Sequence, residues 1–359
     1  MKNVTLVLLL IAVLFLVAAT FEKPAKYNVL LISIDTLRAD ALGCYGNPQK
    51  TPAIDSLAAR SVLFENTISQ VPLTLPSHAT ILTGLFPPQH GIKNNEVFVL
   101  PEKITTLAEM FQKNGYKTGA VVGSFALDSG FGIAQGFDQY DDQIDPGSNS
   151  ETPYVERRAD AVWNHGRKWI EKQTSPWFCF LHFYDPHTAY APPKPYPQTY
   201  SGEVSYVDSV IAQLLSYLHD YIDNTTIVVL LSDHGESLGE HGEASHGVFL
   251  YDSTLKVPFM ISVPGLKSSR VSQVVRLADV APTILELAGI SPFPSQSSPA
   301  GVSLVSIMKG QPKDLPAYSE TYYTNLLMGW APLHSIRTGQ FKWIDAPAPE
   351  FYNLSSDPN

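Results

Sequence analysis

Cysteine is nearly absent. Cys44 and Cys179 are the whole supply, no Cys-x-x-Cys pair occurs, and neither a disulfide framework nor a zinc ribbon can hold the fold. A single bridge between the two stays open on sequence grounds. Charge is sparse as well, at 16% of residues, and basic residues are in deficit: 24 Lys and Arg stand against 34 Asp and Glu, a formal net charge of −10. A nucleic-acid partner held by a basic footprint is therefore excluded. There is no internal repeat, and 44% hydrophobic residues rule out a disordered or collagen-like chain. What remains is a globular protein of 359 residues, long enough for a large core.

An apolar run, Thr5 to Phe21, follows Met1-Lys2-Asn3 and precedes Glu22-Lys23-Pro24. It reads as either a cleaved export signal or a retained membrane anchor, so residues 1–26 form a leader and the protein is expected to be exported: periplasmic, extracellular, or anchored and facing outward. No cysteine follows the run, which excludes a lipoprotein anchor.

Beyond the leader, strand and helix signals alternate. Tyr27 to Ile34 (YNVLLISI), Lys117 to Val122, Trp177 to Phe183 (WFCFLHF), Thr226 to Ser232 and Val257 to Val263 are strand-like, and most read as buried on both faces. Helices are expected over Thr51–Ala59, Thr105–Gly115, Arg157–Lys172 and Val204–Leu218, with Pro52 suited to a first helical turn and Gly115 to a helix end. Such alternation predicts an α/β fold, a large mostly parallel sheet flanked by helices over residues 27–315. Residues 138–153 and 291–300 read as loops on the substrate side. Ser335 to Ile344 reads as a hairpin turning at Thr338-Gly339, part of a small antiparallel C-terminal subdomain over 316–359. Its last residues stop after a turn-like stretch, and further chain is expected beyond them.

In parallel sheets ligands bind beyond the carboxyl ends of the strands. Three polar clusters fall there: Asp35 after the first strand, Asp185 and His187 after WFCFLHF, and Asp233 and His234 after TIVVLLS. Any one carboxylate could simply cap a helix; three together suggest a site for a divalent cation such as Zn, Mn, Mg or Ca. A further segment, Val71 to Gly84, places Pro76 in the first turn of a helix and the Thr74 hydroxyl at its positive end, as an N-cap or as a group facing an anion. A threonine hydroxyl beside a metal loses its proton more easily and becomes a competent nucleophile.

These residues, with Leu42-Gly43-Cys44-Tyr45-Gly46, Thr74-Leu75-Pro76-Ser77-His78-Ala79, Asp185-Pro186-His187 and Asp233-His234-Gly235-Glu236 followed by Gly239-Glu240-His241-Gly242, resemble the sulfatase family of the alkaline phosphatase superfamily. The resemblance runs from about residue 27 to 357. It implies an alkaline-phosphatase-like fold, a metal held by Asp35, Thr74, Asp233 and His234, and substrate contacts from Arg38 and His78. His187 and His246 would bind the ester's oxygens or protonate the leaving group, or hold a second metal with Asp185. Glu236 would orient a ligand. His182 reads as a core residue facing away from Asp185, and His241 as either a ligand or a loop histidine. The chain also departs from the family. Sulfatases carry Cys or Ser at the position of Thr74, oxidised to formylglycine, Arg at that of His78, usually a second Asp at that of Thr36 and often Lys at that of His246. Oxidised threonine would be a ketone, so an aldehyde-hydrate mechanism is closed to this chain. The block from Ser232 to Gly247 is similar to phosphoethanolamine transferases, which use a metal-bound threonine. The leading expectation is a metal-dependent hydrolase of sulfate or phosphate esters acting on a small-molecule, glycan or lipid substrate, with membrane association through the leader. A transferase passing a phospho group to a lipid or glycan is the alternative. A non-catalytic binding protein is the third, opposed by the intact polar set.

Overall fold

The computed structural model describes residues 26–144, 156–174, 176–219, 224–293 and 301–357. The expected leader, residues 145–153 of the first predicted loop and 294–300 of the second lie outside them.

Eight strands form one sheet in the order β4-β3-β5-β1-β6-β7-β2-β8. They are β1 (Asn28–Ile34), β2 (Val62–Ile68), β3 (Lys117–Val122), β4 (Gln139–Asp141), β5 (Trp177–Phe183), β6 (Thr226–Leu231), β7 (Lys256–Ser262) and β8 (Ser269–Arg276). Among the described strands of this sheet, β7 alone runs against the rest: it pairs antiparallel with β6 and β2, whereas β2 with β8 and all pairs from β4 to β6 are parallel. The carboxyl ends of β1, β2, β5 and β6 therefore share one edge, which is where a ligand site belongs.

The central strands are apolar on both faces because both are covered. Leu30, Ile32, Cys179, Leu181 and Leu230 pack under α1 (Pro52–Ala59), α4 (Ala159–Ile170) and α5 (Tyr200–Tyr217). The alternate residues Val29, Leu31, Phe178, Phe180 and Val229 pack under α2 (Thr74–Thr83), α3 (Leu107–Lys113) and α6 (Val280–Leu287). This is the expected α/β sandwich, with three strands of the sheet that the sequence reading missed. β2 and β8 fell between the recognised strands. Residues 139–141, read as loop, form the edge strand β4, a three-residue piece too short to show a period.

Helix starts follow local chemistry. Pro52 occupies the first turn of α1, and α3 opens on a reciprocal pair in which Thr106 Oγ1 accepts from the Glu109 amide while Glu109 Oε2 accepts from the Thr106 amide. A second sheet of four antiparallel strands, β9 (Ala317–Thr321), β10 (Leu333–Arg337), β11 (Phe341–Asp345) and β12 (Glu350–Asn353), includes the expected hairpin. It is sewn to the segment after β2: Ser319 Oγ donates to the Ser69 carbonyl at 2.6 Å and the Glu320 amide to the Gln70 carbonyl at 2.9 Å. Cys44 and Cys179 are both free thiols, so the one bridge left open is not made. Among the described residues no helix is long and apolar enough to cross a membrane.

Candidate active site

The site is built on the common edge. Asp35 follows β1 directly, and Asp233 and His234 follow β6 after one residue. Thr74 is the first residue of α2, not its N-cap, which is Leu73. The Asp233 carbonyl is fixed by two hydroxyls, Ser69 Oγ at 2.6 Å and Ser77 Oγ at 2.7 Å, so the approach to α2 and the loop after β6 are locked together. Gly235 must be glycine, because a Cβ there would lie 2.1 Å from the Ser253 carbonyl oxygen.

Asp35, Asp233 and His234 are fully buried and Thr74 is 2% exposed. Thr74 Oγ1 donates to Asp35 Oδ2 at 3.2 Å and lies 3.4 Å from His234 Nε2. His234 Nε2 is 3.5 Å from both Asp35 Oδ1 and Asp233 Oδ2. The other ring nitrogen, Nδ1, donates to the Gly235 carbonyl at 2.9 Å, which leaves the Nε2 lone pair facing the carboxylates. Burial pushes the carboxyl of Asp233 up, and the neighbouring Asp35 carboxylate adds to it; Asp35 is raised chiefly by burial. Burial opposes charge on His234, but Asp233 and Asp35 outweigh it and its value is raised.

These residues fit a divalent cation. Asp35 Oδ1 and Asp233 Oδ2 are buried without a hydrogen-bond partner, an expensive state for two adjacent carboxylates unless a cation compensates them. His234 Nε2 stands 3.4 Å from Thr74 Oγ1 and 3.5 Å from Asp35 Oδ1 and Asp233 Oδ2, separations of about the size that bonds of about 2.1 Å to one ion would give. Asp35, Asp233 and His234 form a cluster with ligand-type atoms within 4.8 Å of one another.

Two more histidines stand beside this set. The His246 ring lies 4.4 Å from that of His234 and 5.1 Å from that of His187. His246 Nδ1 donates to Glu236 Oε1 at 3.0 Å, and Glu236, buried, is pushed up to about 7. His187 stacks on Tyr184 and donates from Nδ1 to the Thr188 carbonyl; burial lowers it to about 4, against the pull of Asp35.

The other nominated residues go elsewhere. Asp185 does not join His187 and His246. The chain turns after Phe183 so that Asp185 Oδ2 accepts from the Ala159 amide at 2.9 Å, at the start of α4, on the far face of the sheet. Burial, aided by Glu156, pushes it up to about 7. A carboxyl raised in the folded state favours folding less as pH rises, the loss running from its unfolded value near 4 up to about 7. Asp185→Asn, which keeps the acceptor, should match the parent near pH 4 and exceed it at pH 8 by about 1–2 kcal/mol in denaturant titrations, its partial exposure holding the effect to that size. Equal stability at both pH values would contradict this assignment.

His78 is not a substrate contact on a helix end. It is fully buried, its Nδ1 donating to the Thr74 carbonyl at 2.7 Å and its Nε2 accepting from Ser33 Oγ at 2.9 Å, because residue 78 lies one turn along α2 on its sheet-facing side. Arg38 is held by Asp40 at 2.7 Å, Glu240 at 2.6 Å and the Glu236 carbonyl at 3.0 Å, at the rim. His241 stacks on Tyr251 at 3.6 Å in an exposed loop. His182 is fully buried, as expected of a core residue, and yet borders the site. It does face away from Asp185, as its strand parity predicts, but that parity turns it toward Asp35, with Nε2 3.4 Å from Asp35 Oδ2. A histidine in an otherwise apolar strand, WFCFLHF, was the available signal.

Comparison with known proteins bears on the family and the fold. Residues 27–290 match the sulfatase family, and residues 239–359 match the C-terminal part of N-sulphoglucosamine sulphohydrolase. A Δ4,5-hexuronate-2-O-sulfatase of Bacteroides thetaiotaomicron is 25% identical over 96% of this chain and 86% of its own length. An ulvan-active sulfatase of Formosa agariphila is 28% identical over 75% of this chain, which spans 63% of that relative's length. Among solved structures, a 2-O GAG sulfatase superposes with a TM-score of 0.76 at 22% identity, covering 93% of this chain and 86% of that one. The phosphonate monoester hydrolase of Agrobacterium radiobacter does so with 0.76 at 20% identity, covering 93% and 90%. Its match over most of its length places this chain in the sulfatase family.

Proposed function

We propose that the chain is a metal-dependent hydrolase of sulfate or phosphate esters carried on a glycan, with Thr74 as its nucleophile. The observation that supports this most directly is the position of Thr74 Oγ1, at the mouth of α2 and within 3.2–3.4 Å of Asp35 and His234. The relatives named above include an ulvan-active sulfatase and a Δ4,5-hexuronate-2-O-sulfatase, which supports a sugar ester as the substrate class.

Asp35, Asp233 and His234 would hold the metal with Thr74 beside them; when bound it supplies a lower pKa for the threonine hydroxyl and positive charge for the ester's oxygens. The chain's own groups do the rest. Asp35 Oδ2 receives the Thr74 hydrogen bond, aligns Oγ1 and takes its proton as Oγ1 attacks sulfur or phosphorus, giving a covalent ester on Thr74 while the bond to the alcohol oxygen breaks. His246, its Nδ1 tied to Glu236, gives a proton from Nε2 to the departing oxygen; burial and His234 hold it well below the ordinary histidine value, so its imidazolium parts with that proton readily. His187 lies beside the same centre to bind a non-bridging oxygen. Water, deprotonated by His246, then attacks sulfur or phosphorus, the bond to Oγ1 breaks, and Oγ1 takes its proton back from Asp35 as the acid leaves.

The test is turnover of matched aryl sulfate, phosphate monoester, phosphodiester and phosphonate substrates by metal-loaded protein. Turnover of at least one of them, lost on removing the metal, is the expected result. Inactivity toward all four, by protein that binds metal, would overturn the hydrolase reading.

A further inference from the structure

Two buried clusters share Asp233: Asp35, Asp233 and His234 form one, and His78, His182 and Asp233 the other. They are not two metal sites. His78 has no lone pair to offer, since its Nδ1 hydrogen goes to the Thr74 carbonyl and its Nε2 is taken by Ser33 Oγ. His182 is the opposite case. It is fully buried and neither ring nitrogen has a hydrogen-bond partner. Buried imidazole nitrogens left unpaired are costly, and an apolar residue such as Phe180, two places earlier on the same face, would pack there without that cost. Its Nε2 lies 3.4 Å from Asp35 Oδ2, the same spacing that separates the other donors from one another. Thr36, next to Asp35, does not compete, because its hydroxyl turns back to the Asp35 carbonyl at 2.8 Å.

We propose that His182 is a metal ligand, bringing a second imidazole to the set of Asp35, Thr74, Asp233 and His234, and that the site is thereby selective for a zinc-class ion over calcium. The inference rests on the metal-dependent reading above. Calcium takes oxygen donors, whereas imidazole suits zinc and its neighbours, and two nitrogens among five donors favour the latter. β5 supplies the residue because its register sets position 182 beside Ser33 of β1, on the face that carries α2 and just below the Asp35 turn.

Counting imidazoles tests this without activity. In the full chain loaded with Cu(II), pulsed EPR should detect two coordinated imidazoles in the parent and one in His182→Gln. Calorimetric titration with Zn(II) should show binding weakened at least about 100-fold in that variant, with Ca(II) affinity changed less than threefold. One imidazole in the parent, which needs no variant to fold, would overturn the proposal while leaving the metal-dependent reading standing. Failure of the parent to bind Zn(II) or Cu(II) at all would overturn both.

Discussion

Thr74→Ala is expected to lower kcat/KM at least about 1,000-fold on any substrate the protein turns over, a loss of about 4 kcal/mol of transition-state stabilisation. The size follows from what is removed. Thr74 Oγ1 is the hydroxyl that meets both Asp35 and His234, and no neighbouring side chain at the mouth of α2 can replace it: Ser77 donates to the Asp233 carbonyl and Thr80 bonds the Pro76 carbonyl. Thr74→Ser keeps the oxygen and should retain activity within about tenfold, the freer χ1 costing some alignment. Thr74→Ser keeps the hydrogen bond to buried Asp35 Oδ2 and should melt close to the parent, whereas Thr74→Ala leaves that oxygen without its donor and should melt somewhat lower. Turnover that survives Thr74→Ala would sink the nucleophile assignment.

The fold was legible where one physical rule dominates. Strands covered on both faces must be continuously apolar, and YNVLLISI, WFCFLHF and TIVVLLS announce themselves for that reason. β2 escaped because Glu65 and Asn66 interrupt it at a bulge beside β7 and β8, and the reversed direction of β7 leaves no trace in its composition. The site was legible in the same degree. Asp35, Asp233 and His234 stand at the ends of recognisable strands, and strand ends are where an α/β sheet binds ligands. Asp185 stands at a strand end too, yet the turn after Phe183 sends it to cap α4. Sequence position fixes which edge a residue reaches but not the face to which the following turn delivers it. His78 and His182 show the converse. His78 reads as a substrate contact and His182 as a core residue, and their helical and strand parity, traced across α2 and β5 together, brings the two rings edge to face beside Asp233.

Metal and Asp233→Asn should act on stability in opposite directions. In chelator, the parent holds two fully buried carboxylates side by side, with burial and Asp35 both working against ionisation of Asp233. Asparagine removes one of the two while keeping the oxygen that accepts the His234 amide at 2.9 Å, so the metal-free variant should be more stable than the metal-free parent by about 1–3 kcal/mol. Saturating metal reverses the order. A ligand at 1,000 times its dissociation constant stabilises the folded parent by about 4 kcal/mol, and the variant, having lost a charged donor, should gain little. Thermal melts of the two proteins in chelator and in excess Zn(II) therefore cross: variant above parent in the first, parent above variant in the second. A merely structural role for Asp233 would put the variant below the parent in both conditions. A parent that melts at the same temperature with and without metal would remove the cation, leaving the buried carboxylate pair without compensation.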